Sequence, residues 1–426
     1  MIRLRVLMLT WEYPPRIIGG ISRHVYHLTK EFNKLNIKTH IITCWEPNCC
    51  DYERHGNIFI YRVRPYSIQT QDFINWVFQL NMAMLEHTIR IINQNGYEFD
   101  IVHVHDWIAA FCARALKHIY NIPLICTIHA TENGRNNGLH NDLQRYISNV
   151  EWWATYEAWK VIVCSRYMKY ELNNFFQLPD DKIKIIPNGI DLEDFQPIEQ
   201  KIDMGFRRNY AADDEKIILF IGRLVREKGV QVLLEAVSHL ISKNIKCKLI
   251  IAGRGPFEDN LKQTATSLGI YPNVYFTGYI DDQTRNRLYS ISDTAVFPSF
   301  YEPFGIVALE GMAAGTPVIT TDAGGLNEII ESGVDGIKVP VGDVQALAHA
   351  IERVLVDNDY AAALKQQGYI KAKTRYGWDV IAKDTIKVYR QVMEEDQQIK
   401  NGHKNNIIDI NKACHRTVEY HGKYNQ

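Results

Sequence analysis

The chain has 426 residues, more than one ordinary hydrophobic core holds, so its length favours two domains. Hydrophobic residues make up 46% of it and charged residues 23%, which is normal for a soluble globular protein. The formal net charge is -1, so no overall electrostatic field indicates a nucleic acid or a membrane surface as its partner.

The cysteines and the first residues bear on the cellular compartment. None of the eight cysteines forms a C-x-x-C pair, so zinc and thioredoxin-like sites lack the spacing they need. This usage fits a reducing compartment, and we expect a cytoplasmic protein. The N-terminal apolar run is too short for a signal peptide and has no small-residue cleavage site. No stretch approaches the ~20 apolar residues that cross a bilayer, so no transmembrane segment is expected.

The first half of the chain alternates short apolar runs with amphipathic segments. In the first amphipathic segment, apolar residues recur at alternating four- and three-residue spacing from Ile21 to Leu35, which predicts one buried helix face. The apolar runs are nearly continuous, as parallel strands buried on both faces are. They predict strands at Val6–Leu9, Thr39–Thr43, Ile58–Val63, Ile101–Val104, Leu124–Ile128 and Val161–Cys164.

A second series of the same kind begins near residue 215. It predicts strands at Lys216–Ile221, Lys248–Ala252, Val274–Thr277, Thr294–Phe297 and Pro317–Thr320. It predicts helices at Val230–Lys243, Glu258–Leu268, Asp282–Ile291 and Gly305–Ala314. Strand–helix alternation in each half predicts a doubly wound α/β sheet.

The segment between the two series carries the Pro187-Asn188-Gly189 turn signal, which indicates a hinge. We therefore place an N-terminal domain at residues 1–190 and a C-terminal domain at residues 191–375. Two such halves predict a cleft where the carboxyl ends of their strands converge. Residues 396–426 are polar with weak periodicity and are expected to form a tail. Nothing in the sequence indicates the oligomeric state.

Gly19 and Gly20 end the loop after the first strand and open the first helix. Paired glycines let backbone N–H groups approach a ligand, and a helix N-terminus offers positive potential to a phosphate. The alternative is a tight turn that needs positive φ.

Two further segments leave buried strands at their carboxyl ends, His103-Val-His105-Asp106-Trp107 and Thr127-Ile-His129-Ala-Thr131-Glu132. The H-x-H spacing suits a metal, but few further ligands are obvious, so we expect none. Asp106 and His129 are candidates to hydrogen-bond sugar hydroxyls. For His103, a satisfied buried histidine remains the alternative.

Arg223 and Lys228 follow the strand that ends at Gly222, just before a helix. Two fixed cations at the carboxyl end of a strand suit a diphosphate leaving group. The alternative is a solvated basic turn with Glu227 as its partner.

Glu302 lies in the loop after a strand, and the next predicted helix begins at Gly305 and carries Glu310. The amides that open this helix can face phosphate oxygens, while the two carboxylates accept hydrogen bonds from sugar hydroxyls. An acid in the apolar run around Glu310 is costly to bury unpaired, which favours a functional role.

Glu302 and Glu310 form an E-x7-E pattern, which occurs here with Gly19-Gly20, Gly222-Arg223 with Lys228, and Ala323-Gly324-Gly325 with Glu328. In this combination the chain resembles the large retaining glycosyltransferase family that includes glycogen and starch synthases and sucrose synthases. The resemblance spans roughly residues 1–395. Trp11-Glu-Tyr-Pro-Pro, His105-Asp-Trp107, His129-Ala-Thr-Glu132 and Tyr301-Glu-Pro-Phe-Gly305 are most similar to the glycogen synthase-like α-glucosyltransferases.

The resemblance implies the GT-B fold, two Rossmann-like domains facing a cleft, with a C-terminal helix at residues 376–395 that crosses back to the first domain. It also implies roles for the residues identified above. Arg223 and Lys228 would neutralise the diphosphate and Gly20 would contact it, while Asp106 and His129 would face the sugar and the acceptor. Glu302 would orient the sugar, Glu310 would bind the ribose, and His129, Arg223, Lys228 and Glu302 would be catalytic. The donor-binding set would comprise Gly19, Gly20, Arg223, Lys228, Glu302, Phe304, Gly305, Ile306, Val307 and Glu310.

The implied reaction transfers glucose from ADP-glucose or UDP-glucose to an α-glucan or a related carbohydrate. It retains the anomeric configuration through front-face attack and needs no metal or other cofactor. Two alternatives remain: a retaining mannosyl- or other hexosyltransferase acting on a lipid, polyol or small glycoside, and a nucleotide-sugar epimerase.

Overall fold

A computed structural model describes residues 4–69, 72–195 and 203–421, with side chains up to residue 401. The first sheet comes from the N-terminal half. Its strands are β1 (Arg5–Leu9), β2 (Lys38–Cys44), β3 (Tyr52–His55), β4 (Ile58–Val63), β5 (Ile101–His105), β6 (Leu124–Ile128), β7 (Lys160–Val163) and β8 (Ile183–Ile185). Its helices are α1 (Gly20–Lys34), α2 (Phe73–Asn95), α3 (Ala110–Tyr120), α4 (Glu132–Asn136), α5 (Asp142–Glu157) and α6 (Arg166–Phe176).

The second sheet comes from the C-terminal half. Its strands are β9 (Lys216–Ile221), β10 (Cys247–Ala252), β11 (Val274–Gly278), β12 (Thr294–Phe297), β13 (Val318–Thr321) and β14 (Ile337–Val339). The helices of this half are α7 (Met204–Arg207), α8 (Val230–Ser242), α9 (Glu258–Ser267), α10 (Asp282–Ile291), α11 (Ile306–Ala313), α12 (Leu326–Ile329), α13 (Val344–Val356) and α14 (Asn358–Arg375). The last helix is α15 (Trp378–His421), and short 3-10 turns occur at Trp107–Ala109, Leu192–Asp194, Arg226–Lys228 and Tyr271–Asn273.

Both sheets are doubly wound, as predicted. The strand orders are β3-β4-β2-β1-β5-β6-β7-β8 and β11-β10-β9-β12-β13-β14. All described pairings within them are parallel except β3 with β4. The chain reverses its direction of winding next to β1 in the first sheet and next to β9 in the second. In open parallel sheets the loops at such points form a crevice for ligands.

The chain passes between the two domains twice, and the two crossing segments lie side by side. The N–H of Ile190 donates to the carbonyl of Tyr376 at 2.7 Å, and Ile190 forms a parallel bridge with Gly377. A Cβ at Gly189 would lie 2.6 Å from the Trp378 ring, so only glycine allows this approach. The two crossings therefore form one paired hinge.

The last helix packs on the N-terminal domain. Tyr389 of α15 is fully buried against Phe32 of α1, with ring centroids 5.8 Å apart. The helix predicted at residues 376–395 is longer than expected, because α15 continues through the polar segment to His421. The segment contains no proline, and a helix that is already formed and packed can be extended without a new nucleation step. Residues 422–426 lie outside the described residues.

Candidate active site

A cavity of about 400 Å³ lies between the domains, at the carboxyl ends of both sheets. Its walls contain loops after β1, β5 and β6 from one domain and loops after β9 and β12 from the other. The sequence-predicted residues that line it are Gly19, Gly20, Asp106, His129, Arg223, Lys228, Glu302, Phe304, Gly305, Ile306 and Val307. Glu310 is the predicted site residue that does not line it.

The N-terminal wall of the cavity is shaped by a buried acid that sequence reasoning missed. Glu12 is 1% exposed, and one of its carboxylate oxygens accepts the N–H groups of Ile18 and Gly19 at 2.7 and 2.9 Å. Burial raises its pKa, although both N–H groups oppose the rise. The amides before α1 are thus already taken, and the helix begins at Gly20. A Cβ on Gly20 would lie 3.3 Å from Cδ1 of Ile306, so the loop approaches the opposite domain closely.

The opposite wall combines a helix N-terminus with two cations. Helix α11 starts at Ile306 after Gly305, which has a φ of 110° that favours glycine. Lys228 lines the same wall and its Nζ lies 2.7 Å from Oε2 of Glu302. Arg223 is exposed to the cavity, and within the described part of the chain no carboxylate is paired with it. Positive potential from the start of α11 and from both side chains thus converges on one space, as an anion site requires.

The predicted pairing of Glu310 with the ligand cavity is not seen. Glu310 is 3% exposed and sits behind the wall, where its carboxylate contacts Arg23 of α1 and Arg285 of α10. The hydroxyl of Tyr289 donates to its second oxygen at 3.2 Å. The sequence correctly indicated that an acid here could not be buried unpaired, but it did not reveal these partners.

Asp106 and His129 lie together, as expected from adjacent strand ends. A carboxylate oxygen of Asp106 accepts the backbone N–H of His129 at 2.7 Å. Burial raises the pKa of Asp106 to about 6 and lowers that of His129 to about 4. At neutral pH the imidazole is therefore uncharged. Its Nε2 lies 3.1 Å from Nδ1 of His105, which leaves the other ring nitrogen for hydrogen bonding beside a carboxylate that fixes its backbone.

The whole chain matches known proteins along the same two halves. Residues 18–194 match the family model described as Glycosyltransferase Family 4, and residues 205–371 match that of Glycosyl transferases group 1. An uncharacterised glycosyltransferase of Methanocaldococcus jannaschii is 38% identical over 395 residues, which are 92% of this chain and 99% of that protein. The chain belongs to these glycosyltransferases.

Other relatives agree with this glycosyltransferase family and with the predicted GT-B fold. A glycogen synthase of Mycobacterium tuberculosis is 32% identical over 410 residues, covering 93% of this chain and 96% of its own. The solved sucrose-phosphate synthase of Thermosynechococcus elongatus superposes with a TM-score of 0.79 at 25% identity, over 92% of this chain and 100% of that one. No helix in the described part of the glycosyltransferase combines the length and apolar composition needed to cross a membrane.

The histidines of this glycosyltransferase form a cluster that the H-x-H spacing did not predict. His24 and His129 join His105, and one nitrogen of each lies within 4.8 Å of the others. The expectation of few further ligands near His105 is therefore wrong, because α1 and β6 supply imidazoles from distant positions. In the structure His24 Nδ1 lies 2.7 Å from Asn188 Oδ1, outside the cluster, while His105 Nδ1 and His129 Nε2 lie 3.1 Å apart within it.

His103 is a satisfied core histidine, the alternative that the sequence left open. Its two nitrogens lie 2.6 Å from the hydroxyl of Tyr389 and 2.7 Å from that of Thr127. Burial lowers its pKa well below 6.5. A neutral imidazole can donate from one nitrogen and accept at the other, so it meets both partners without charge.

This burial predicts a pH-dependent stability. Between pH 6.5 and the lower pKa of the folded state, only the unfolded chain protonates His103, so stability is lost as pH falls. His103 should contribute about 1.4 kcal/mol to this loss of unfolding free energy for each pH unit. We expect His103→Gln to abolish that contribution. The measurement is the difference in unfolding free energy between wild type and variant at several pH values below 6.5. His55→Gln, at a side chain 63% exposed, is the control. A pH-independent difference for His103→Gln would contradict the prediction.

Proposed function

We propose that this glycosyltransferase moves glucose from ADP-glucose or UDP-glucose onto an α-glucan or a related carbohydrate, with retention of the anomeric configuration. The observation that carries the proposal is the convergence of Arg223, Lys228 and the N-terminus of α11 on one interdomain cavity. A glycogen synthase that is 32% identical over 93% of the chain supports glucose and glucan as the substrates.

The charges of the cavity suit departure of a nucleoside diphosphate. Breaking the bond between the sugar and the diphosphate builds negative charge on the leaving oxygen and positive charge on the anomeric carbon. Arg223 and Lys228 are permanent cations that stabilise the leaving group from fixed positions. They supply the charge compensation that a metal ion supplies elsewhere, so we propose a metal-independent reaction.

Glu302 links the leaving-group site to the sugar. Its carboxylate balances the charge of Lys228, whose ammonium lies 2.7 Å away. When a diphosphate takes over Lys228, the carboxylate is released to accept hydrogen bonds from sugar hydroxyls. His129 and Asp106 lie on the opposite wall, where we place the transferred sugar and the acceptor. Since Glu302 is committed to binding, the acceptor hydroxyl attacks from the leaving-group face and the departing phosphate takes its proton.

The location that fits this reaction is the cytoplasm. The cysteines of the described residues are all free thiols, and five of them are buried: Cys44, Cys112, Cys126, Cys164 and Cys247. Free thiols are typical of a reducing compartment.

A donor and acceptor screen tests the proposal. The purified protein is incubated with ADP-glucose, UDP-glucose or GDP-mannose, each with and without glycogen, and nucleotide release is measured. We expect release from a glucose donor, accelerated by glycogen and unaffected by a chelator, with α-linked glucose in the product. Release from GDP-mannose alone would instead favour the mannosyltransferase alternative. Conversion of the donor sugar in the absence of an acceptor, with no nucleotide released, would favour an epimerase.

A further inference from the structure

Four side chains from both domains surround the buried acid Glu310. Its Oε1 lies 2.8 Å from Nη1 of Arg23 and 3.2 Å from Nη1 of Arg285, while Oε2 accepts from the Tyr289 hydroxyl. Asp282 contacts both arginines, at 2.5 Å from Arg23 and 3.0 Å from Arg285. With both oxygens occupied, Glu310 has no free side to offer a ligand in this arrangement.

The two arginines differ in how they are held. Arg285 belongs to the same domain as Glu310 and its side chain is only 7% exposed, so it is a fixed counter-charge. Arg23 belongs to the other domain and its side chain is 31% exposed. A partly solvated ion pair is weak compared with a buried one, so Arg23 is the partner that a ligand can displace. Arg285 then remains, and Glu310 is never left as an uncompensated buried charge.

Arg23 is also close to the proposed diphosphate site. Helix α1 begins at Gly20, which lines the cavity, and Arg23 follows three residues later, about 4.5 Å along the helix axis. A ribose bonded to a diphosphate at Gly20 therefore lies within reach of the space that the Arg23 guanidinium occupies. The Asp282 side chain is 62% exposed and is a second carboxylate with which Arg23 stays paired if it leaves Glu310.

We propose that Arg23 is a positioning residue that competes with the ribose hydroxyls of an incoming nucleotide for the carboxylate of Glu310. This inference rests on the proposed function, in which the donor is a nucleoside diphosphate sugar. A ribose diol can donate two hydrogen bonds to the carboxylate, one of which takes the place of the single bond from Arg23. Arg23 then keeps Asp282, so the contact between α1 and the C-terminal domain is shifted rather than lost.

The experiment compares a ligand that has a ribose with one that lacks it. Calorimetry gives the Kd of ADP, UDP and inorganic pyrophosphate for wild type, Arg23→Gln and Lys34→Gln. The last is a control, because Lys34 lies on the same helix with a side chain 56% exposed and is paired with Glu31. Loss of a cation weakens the binding of pyrophosphate and of nucleotides alike. The ratio of the pyrophosphate Kd to the nucleotide Kd therefore isolates competition for Glu310.

We expect Arg23→Gln to raise this ratio at least about twofold, the worth of a partly exposed ion pair, and Lys34→Gln to leave it unchanged. Asp282→Asn is expected to lower the ratio, because the displaced Arg23 loses its second acid. An unchanged or lower ratio in Arg23→Gln overturns the inference while the proposed function stands. A rise in both Arg23→Gln and Asp282→Asn also overturns it, since that indicates general loosening. Failure of wild type to bind any nucleoside diphosphate overturns the proposed function and this inference together.

Discussion

Replacing Lys228 by alanine is expected to lower kcat/KM by about 100- to 1000-fold, the usual effect of removing one fixed donor from a developing anion. Lys228 lines the cavity at the start of α8, and its ammonium is 2.7 Å from Glu302. The loss should fall mainly on kcat, because charge on the leaving oxygen grows in the transition state. Initial rates of nucleotide release from the preferred glucose donor measure it.

Arg226→Ala is the matched control for this prediction. Arg226 lies in the same 3-10 turn as Lys228 and carries the same charge, but it is exposed and does not line the cavity. We expect it to retain near wild-type rates. Equal activity of Lys228→Ala and Arg226→Ala would show that the cation at this wall does not act on the leaving group.

Replacing Glu302 by glutamine is expected to lower kcat/KM by about 100-fold, since hydrogen bonds to a charged acceptor contribute roughly 1.5–3 kcal/mol. The substitution keeps the size of the side chain but removes the charge that balances Lys228 and receives sugar hydroxyls. Glu331→Gln is the control, because Glu331 is exposed and lies outside the cavity wall.

The two substitutions should also interact. Lys228 and Glu302 are in contact, so the double variant should lose less activity than the sum of the two single losses. Strict additivity of the free energies in this double-mutant cycle would contradict a shared role. A Glu302→Gln variant with near-normal kcat/KM would contradict the assignment of this acid to the sugar.

The fold was predictable because most strands of four to seven residues are nearly continuous apolar runs in the sequence. All eleven predicted strands form, and the predicted helix at Val230–Lys243 is observed at Val230–Ser242. The strands that were missed are β3, β8 and β14, which have only four, three and three residues. Three or four residues are too few for an apolar periodicity to be recognised.

The position of the site was predictable for a topological reason. Residues that follow buried parallel strands meet at one edge of a sheet, and this brought Asp106 to His129 and Lys228 to Glu302. The partners of Glu310 were not predictable, because Arg23 is 287 residues away in the other domain. Glu12 was missed since its role depends on the path of a loop, which no periodicity encodes.

The paired crossing at Ile190 and Tyr376 restricts how the domains can separate. Two chain segments that are hydrogen-bonded side by side can bend together as a hinge, but they resist twisting of one domain relative to the other. Any separation of the domains about this crossing would cost the interdomain hydrogen bonds that lie away from it, such as the Ser165 hydroxyl on the Pro303 carbonyl at 2.7 Å and Arg23 on Glu310 at 2.8 Å.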